Sequence, residues 1–232
     1  MKYPLCILVL LAGLQWCYSQ EELQNKVEDS RYKEDQFYAG ITYNLLVDMP
    51  DGLAQSGFSS GFHFGFTKDM PINKKRNVAI GIGLGYSANS FNQNMLVNKD
   101  NTGNFVYSLI DDNEISYSKN KFSTHLVEIP LEFRWRTSTA SEYKFWRIYT
   151  GIKLGYVFSH TNKFNGELGD LKFNDNSDFN DFQYGLTFSA GYNTWNFYVY
   201  YALNPIFSKD AKLNDNTIEM KAVKIGLMFY IL

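Results

Sequence analysis

Eight times along this chain a bulky apolar residue alternates with a small or polar one, and no other regularity in the sequence is as sustained. Successive side chains of an extended strand point to opposite faces, so each run has one oily face and one small or polar face. In 36–49, Phe37, Ala39, Ile41, Tyr43, Leu45 and Val47 oppose Tyr38, Gly40, Thr42, Asn44 and Asp48. In 57–67, Phe58, Phe62, Phe64 and Phe66 oppose Ser59, Gly61, His63 and Gly65. The pattern returns in 78–91, 124–136, 146–158, 182–192, 195–204 and 218–232. Eight such strands fit a closed barrel. An eight-stranded interior holds little beyond side-chain filling, and the bulky faces carry far too much Phe, Tyr, Leu and Ile for it. Glycine-rich opposite faces make a poor water-facing surface but suit a narrow lumen. Turning the barrel inside out removes both conflicts. The expectation is an all-β, eight-stranded antiparallel up-and-down transmembrane β-barrel, oily side chains outward. The rival is a soluble barrel or sandwich with the apolar faces inside.

What precedes the first strand is of a different kind. Residues 1–19 begin with Lys2, run apolar from Leu5 to Leu14, and place Cys17-Tyr18-Ser19 before a cut at Gln20. That is the form of a secretory signal peptide. Cys17 after an apolar run also suggests lipidation, but Trp16 stands where such a signal wants a small residue. Both cysteines lie in this leader, so no disulfide or thiolate metal site follows it. Residues 20–35 are charged and read as a solvated periplasmic tail, leaving 36–232 as the barrel. With 22 basic and 24 acidic residues the charge is nearly balanced, which gives no reason to expect nucleic acid as a partner.

The connections give the barrel two unlike ends. With the tail in the periplasm, the turns 68–77, 137–145 and 193–194 face inward and the loops 50–56, 92–123, 159–181 and 205–217 face outward. Long external loops with short periplasmic turns suit a protein of the bacterial outer membrane. Beyond Trp16 the tryptophans are Trp135, Trp146 and Trp195, all on the oily face at the periplasmic strand ends. There they are expected to form a lipid-facing girdle at headgroup level. Outer-membrane lipid is thus the first expected partner.

Three stretches, LVEIPLEFRWR (126–136), IYTGIKLGY (148–156) and FQYGLTFSAGY (182–192), carry a likeness to a known family. The chain resembles the PorT-type outer-membrane β-barrel family over nearly its whole length after the leader. The resemblance implies a non-enzymatic barrel, accessory or structural in envelope assembly or in the type 9 protein secretion pathway, with other envelope or secretion-machinery proteins as partners. It brings no catalytic residues and no cofactor. One departure is Leu232, where barrel-insertion signals usually end in an aromatic residue, although Phe229 and Tyr230 lie close by. The alternative function is a narrow porin-like channel for small solutes or ions.

The side chains with chemistry to offer are mostly on the small face. Glu128, Glu132, Arg134, Arg147, Lys153 and Lys224 are expected to form a lumen charge network. If Trp135 faces Trp146, Glu128 lies opposite Lys153, Phe133 opposite Ile148, and Glu132 diagonal to Arg147. Neighbours at about 5 Å pair readily. A salt-bridged plug is the favoured reading, a selective constriction the other. Pro130, in mid-strand without an N–H, suggests a bulge. His125 and His160, with Ser123 and Ser159, would sit at the outer rim, where a lipid-acting Ser–His pair could lie, but no flanking motif supports one and they read as ordinary polar rim residues. His63 reads as a hydrogen-bonded filler rather than a metal ligand. The run Asn174-Asp175-Asn176-Ser177-Asp178 lacks the glycine and glutamate of a calcium loop and reads as solvated. Residues 104–118 suggest a hairpin turning at 111–113 that caps the barrel or binds something outside.

Overall fold

The computed structural model describes residues 33–111, 114–137, 145–174 and 176–231. The expected leader, most of the tail, the middle of the 137–145 turn, Asp112, Asn113, Asp175 and Leu232 lie outside them. The strands are β1 (Gln36–Val47), β2 (Ser60–Pro71), β3 (Val78–Asn92), β4 (Met95–Lys99) and β5 (Phe105–Leu109). They continue with β6 (Tyr117–Arg136), β7 (Trp146–Gly166), β8 (Gly169–Phe173), β9 (Phe182–Tyr192) and β10 (Trp195–Ala202). The short β11 (Lys212–Leu213) and β12 (Asn216–Thr217) precede β13 (Lys221–Ile231).

Eight of these close a barrel in the order β1, β2, β3, β6, β7, β9, β10, β13, every neighbour antiparallel. β13 returns to β1 from Phe37↔Ile231 to Val47↔Lys221, so the barrel proper leaves no open edge. Closure satisfies the backbone groups that an open sheet would expose to lipid. β8 lies outside this ring and pairs only with β7.

Burial follows the alternation. Phe37 is 62% exposed and Trp195 63%, while Tyr38 and Asn196, next in sequence, are buried. The lumen holds more bulk than small residues alone would provide: Tyr38, Tyr149, Tyr198, Tyr200, Tyr230 and Phe122 all point in. Glycines on facing strands make the room. A methyl at Gly65 would lie 2.6 Å from Tyr38 Cζ, and one at Gly85 would collide with the Tyr38 hydroxyl.

Three local expectations are corrected. The β6–β7 register pairs Trp135 with Ile148, Phe133 with Thr150 and Glu128 with Gly155, two residues from the one expected. Trp146 instead faces Tyr192 on β9. Strand stagger sets the register, and sequence facing across a turn does not fix it. Pro130 marks no bulge. The β3–β6 ladder resumes in the same register on either side of it, from Ile82↔Leu131 to Gly85↔Glu128. Gly83 faces the proline ring, which a Cβ there would meet at 3.0 Å. The bulge lies instead between His125 and Leu126, where β7 inserts Phe158 as an extra residue.

The third correction concerns the long-loop end, which is packed rather than solvated. The hairpin there is β4–β5, pairing Met95↔Leu109 to Lys99↔Phe105, so 105–109 folds back on 95–99 and not on 115–117. Its tip is shaped by Gly103 at φ 88° and by Asp100, whose Oδ1 accepts from the Thr102 hydroxyl at 2.6 Å. That hydrogen bond, with backbone N–H donors behind it, holds the Asp100 carboxyl below its usual range. Phe122 on the extended part of β6 gathers Phe91, Phe179 and Phe207 at centroid distances of 4.9, 5.8 and 5.6 Å. These rings, with Met95, Ile206, Leu213, Ile218 and Met220, form one apolar core continuous with the lumen. Asn176, in the run expected to be solvated, is fully buried. Its Nδ2 donates to the Tyr107 hydroxyl oxygen at 3.0 Å, and that hydroxyl donates to Asp178 Oδ2 at 2.8 Å.

Candidate functional site

The lumen carries its charges in two groups. Near mid-barrel, Lys153 Nζ lies 3.1 Å from Glu128 Oε2, a pair made diagonally because Glu128 directly faces Gly155. Ser87 donates to Glu128 Oε1 at 2.7 Å, and His63 Nδ1 stands 3.9 Å from Oε2. His63 Nε2 also meets the Thr42 hydroxyl at 3.1 Å, so this ring bridges β1, β2 and β6. Lys224 is buried on β13 with its ammonium 4.8 Å from the Tyr200 ring centre. A cation on an aromatic face is stabilised by the ring quadrupole, more so when both are desolvated.

The second group closes the short-turn end. Arg136 donates from Nη1 and Nη2 to the two carboxylate oxygens of Asp69, at 2.7 and 2.8 Å. Arg134 Nε donates to Glu132 Oε2 at 2.9 Å, and its guanidinium lies 4.6 Å from the Tyr149 ring centre. Glu34 Oε1 approaches Arg136 Nε at 3.8 Å, and Gln36 donates to Glu34 Oε2 at 3.1 Å. Arg147 makes no ion pair among the described residues, and its guanidinium lies 4.5 Å from the Phe145 ring centre. The expected Glu132–Arg147 diagonal is therefore replaced by Glu132–Arg134.

All six charged residues expected in the lumen are buried there. Sequence reasoning missed three partners. Asp69 falls in a stretch read as a turn, but β2 runs on to Pro71 and carries it inside. Arg136 ends the 124–136 run on the same face as Arg134, and the expected network does not include it. Glu34 belongs to a segment read as solvated, and it is fully buried. The period-two parity of Lys68 to Pro71 continues that of β2 and was the available signal for Asp69.

Outside the lumen, Trp135, Trp146 and Trp195 lie on the exposed face at the short-turn ends of β6, β7 and β10. His125 Nδ1 is 2.6 Å from the Tyr86 hydroxyl, while His160 stacks on Phe179 with ring centres 4.5 Å apart. The two histidines are thus occupied by aromatic neighbours, both on the long-loop side of the bulge.

A closed antiparallel ring with an apolar exterior and an ion-paired, filled interior defines a membrane-spanning β-barrel of the bacterial outer membrane. The family model described as "Outer membrane protein beta-barrel domain" matches residues 18–208, and the chain belongs to that family. No curated protein matches it. Among solved structures it is similar to Ail, the attachment invasion locus protein of Yersinia pestis, at 14% identity, covering 86% of this chain and 99% of that one, with a TM-score of 0.34. Ail in complex with the heparin analogue sucrose octasulfate gives 12% identity, the same coverage and a TM-score of 0.35. A Rhodopseudomonas blastica porin triple mutant is 10% identical, over 86% of this chain and all of that one, with a TM-score of 0.21.

Proposed function

We propose that this protein is a non-enzymatic, non-conducting barrel with an accessory or structural role in envelope assembly or protein secretion, as its PorT-like segments imply. One observation supports this most: the lumen is occupied by its own side chains. Arg134, Arg136 and Tyr149 are among the largest fully buried residues, and Phe122 and Phe207 stand above them. Porins reach an aqueous channel with sixteen or more strands, and eight leave no such width. Buried charges are costly unless paired, and here Glu128–Lys153 and Asp69–Arg136 are paired. The long loops face outward, and envelope or secretion proteins meet the barrel at its loops or its tail.

Purification from membranes in mild detergent should bring down envelope proteins that a scrambled-loop variant loses. A deletion strain with unaltered protein export and an intact envelope would remove this reading. The narrow-channel alternative is tested in planar bilayers, where the intact chain should give no current steps.

A further inference from the structure

Beyond the hydrophobic belt, β6 and β7 continue together and β8 joins them as a third strand. Lys121 on β6 directly faces Lys163 on β7, and Lys163 directly faces Lys172 on β8. Lys119 lies two residues along β6 from Lys121. Residues directly opposite in a sheet share a face, and like charges so placed repel. The other face holds Phe122 and Phe164, packed on the loop core, which leaves the lysines facing out. None of the four makes an ion pair among the described residues. Asp170, the one carboxylate on these stretches of the three strands, lies in the row of Lys119, next to that of the other three lysines, and accepts from Asn165 Nδ2 at 2.7 Å.

The bulge creates this row. On β7 the lumen side carries Arg147 and Lys153, and unbroken alternation would send Lys163 the same way. The extra residue Phe158 reverses the parity, so Lys163 comes out beside Lys121. At the bulge stand the last belt residues, Tyr86, His125 and Phe158, whose rings pack at 6.0 to 6.2 Å. Four residues separate His125 from Lys121, a rise of about 13 Å along a strand and less when it is tilted. With that tilt the height is about 10 Å, which sets the row above the hydrocarbon and at the level of polar headgroups. Burial, then the Lys119 and Lys163 ammoniums, push the Lys121 pKa down.

We propose that Lys121, Lys163 and Lys172, with Lys119, form a binding site for the phosphate groups of a phosphorylated glycolipid in the outer leaflet. The row lies on the outward face of the sheet, about 13 Å along the strand beyond the last belt residues. A headgroup phosphate there removes the repulsion while its acyl chains lie along Val127, Ile129 and Leu154, which are exposed on the belt below. The inference rests on the outward orientation of the long loops.

The test uses the full chain refolded in zwitterionic detergent micelles, titrated with diphosphorylated lipid A, its dephosphorylated form, and dextran sulfate. Binding of the phosphorylated lipid should exceed that of the dephosphorylated one by about tenfold or more, and the Lys121→Gln/Lys163→Gln/Lys172→Gln variant should lose this preference. Lys209→Gln/Lys212→Gln, on a different loop, should keep it. Equal binding of both lipids, or an unchanged triple variant, overturns the proposal, as does binding of dextran sulfate alone. Labelling of Lys99→Cys on intact cells tests orientation separately: protection there, with lipid preference retained in micelles, removes the outward placement and not the phosphate site.

Discussion

Asp69 on β2 and Arg136 on β6 meet inside the lumen over β3, which lies between their strands, joined by two parallel hydrogen bonds at 2.7 and 2.8 Å. Removing one member leaves the other as a buried charge without its main partner. Asp69→Asn should lower unfolding stability by about 3–5 kcal/mol, and adding Arg136→Gln should recover part of that. Urea unfolding in lipid vesicles measures both. A single variant as stable as the parent would mean that the pair contributes nothing.

Gly85 and Tyr38 form a second coupled pair, because the tyrosine hydroxyl occupies the space a Cβ would need. Gly85→Ala should cost about 1–3 kcal/mol by overpacking. Adding Tyr38→Leu should restore the heat-modifiable gel mobility of a folded barrel. No rescue by the second substitution would show that the glycine serves some other purpose.

Tyr107 latches the β4–β5 hairpin to Asn176 and Asp178. Burial, with the Asp178 carboxylate adding to it, raises the phenol's pKa. A raised folded-state value favours the neutral form, so the stabilisation is full below the unfolded tyrosine value of about 10 and declines as pH rises above it. Loop proteolysis should therefore increase at alkaline pH. Tyr107→Phe should lose about 1 kcal/mol at neutral pH and show a smaller alkaline increase. Identical pH profiles for the two proteins would rule out the latch.

The three outward tryptophans are expected at one depth. In single-tryptophan variants, lipids brominated near the headgroup should quench Trp135, Trp146 and Trp195 alike, and lipids brominated at the chain ends should quench them weakly. Strong quenching at the bilayer centre for any one of them would break the girdle.

The barrel was legible because its signal is local: parity along a strand decides which way Phe37 or Lys153 points, whatever the partners are. Register is not local. Glu128 meets Lys153 in the structure although the register that suggested the pair is off by two, because a long lysine spans a diagonal as easily as a direct facing. A bulge is a single inserted residue with no compositional mark, so the new direction of Lys163 could not be read. The packed loops were hidden for another reason. Their apolar residues, Met95, Phe179, Ile206 and Ile218, are scattered among Asn and Asp, and only long-range packing brings them together.

The seam between β1 and β13 has a kinetic consequence. Its two partners are nearly as far apart in sequence as the described chain allows, and such pairings form slowly because loop entropy opposes them. Until the final strand docks, β1 presents a bare edge of unpaired amides, with Phe37, Ile41 and Tyr43 beside it. In water that edge is a template for aggregation. Traffic through the periplasm therefore calls for an escort that shields this edge until the seam is sewn.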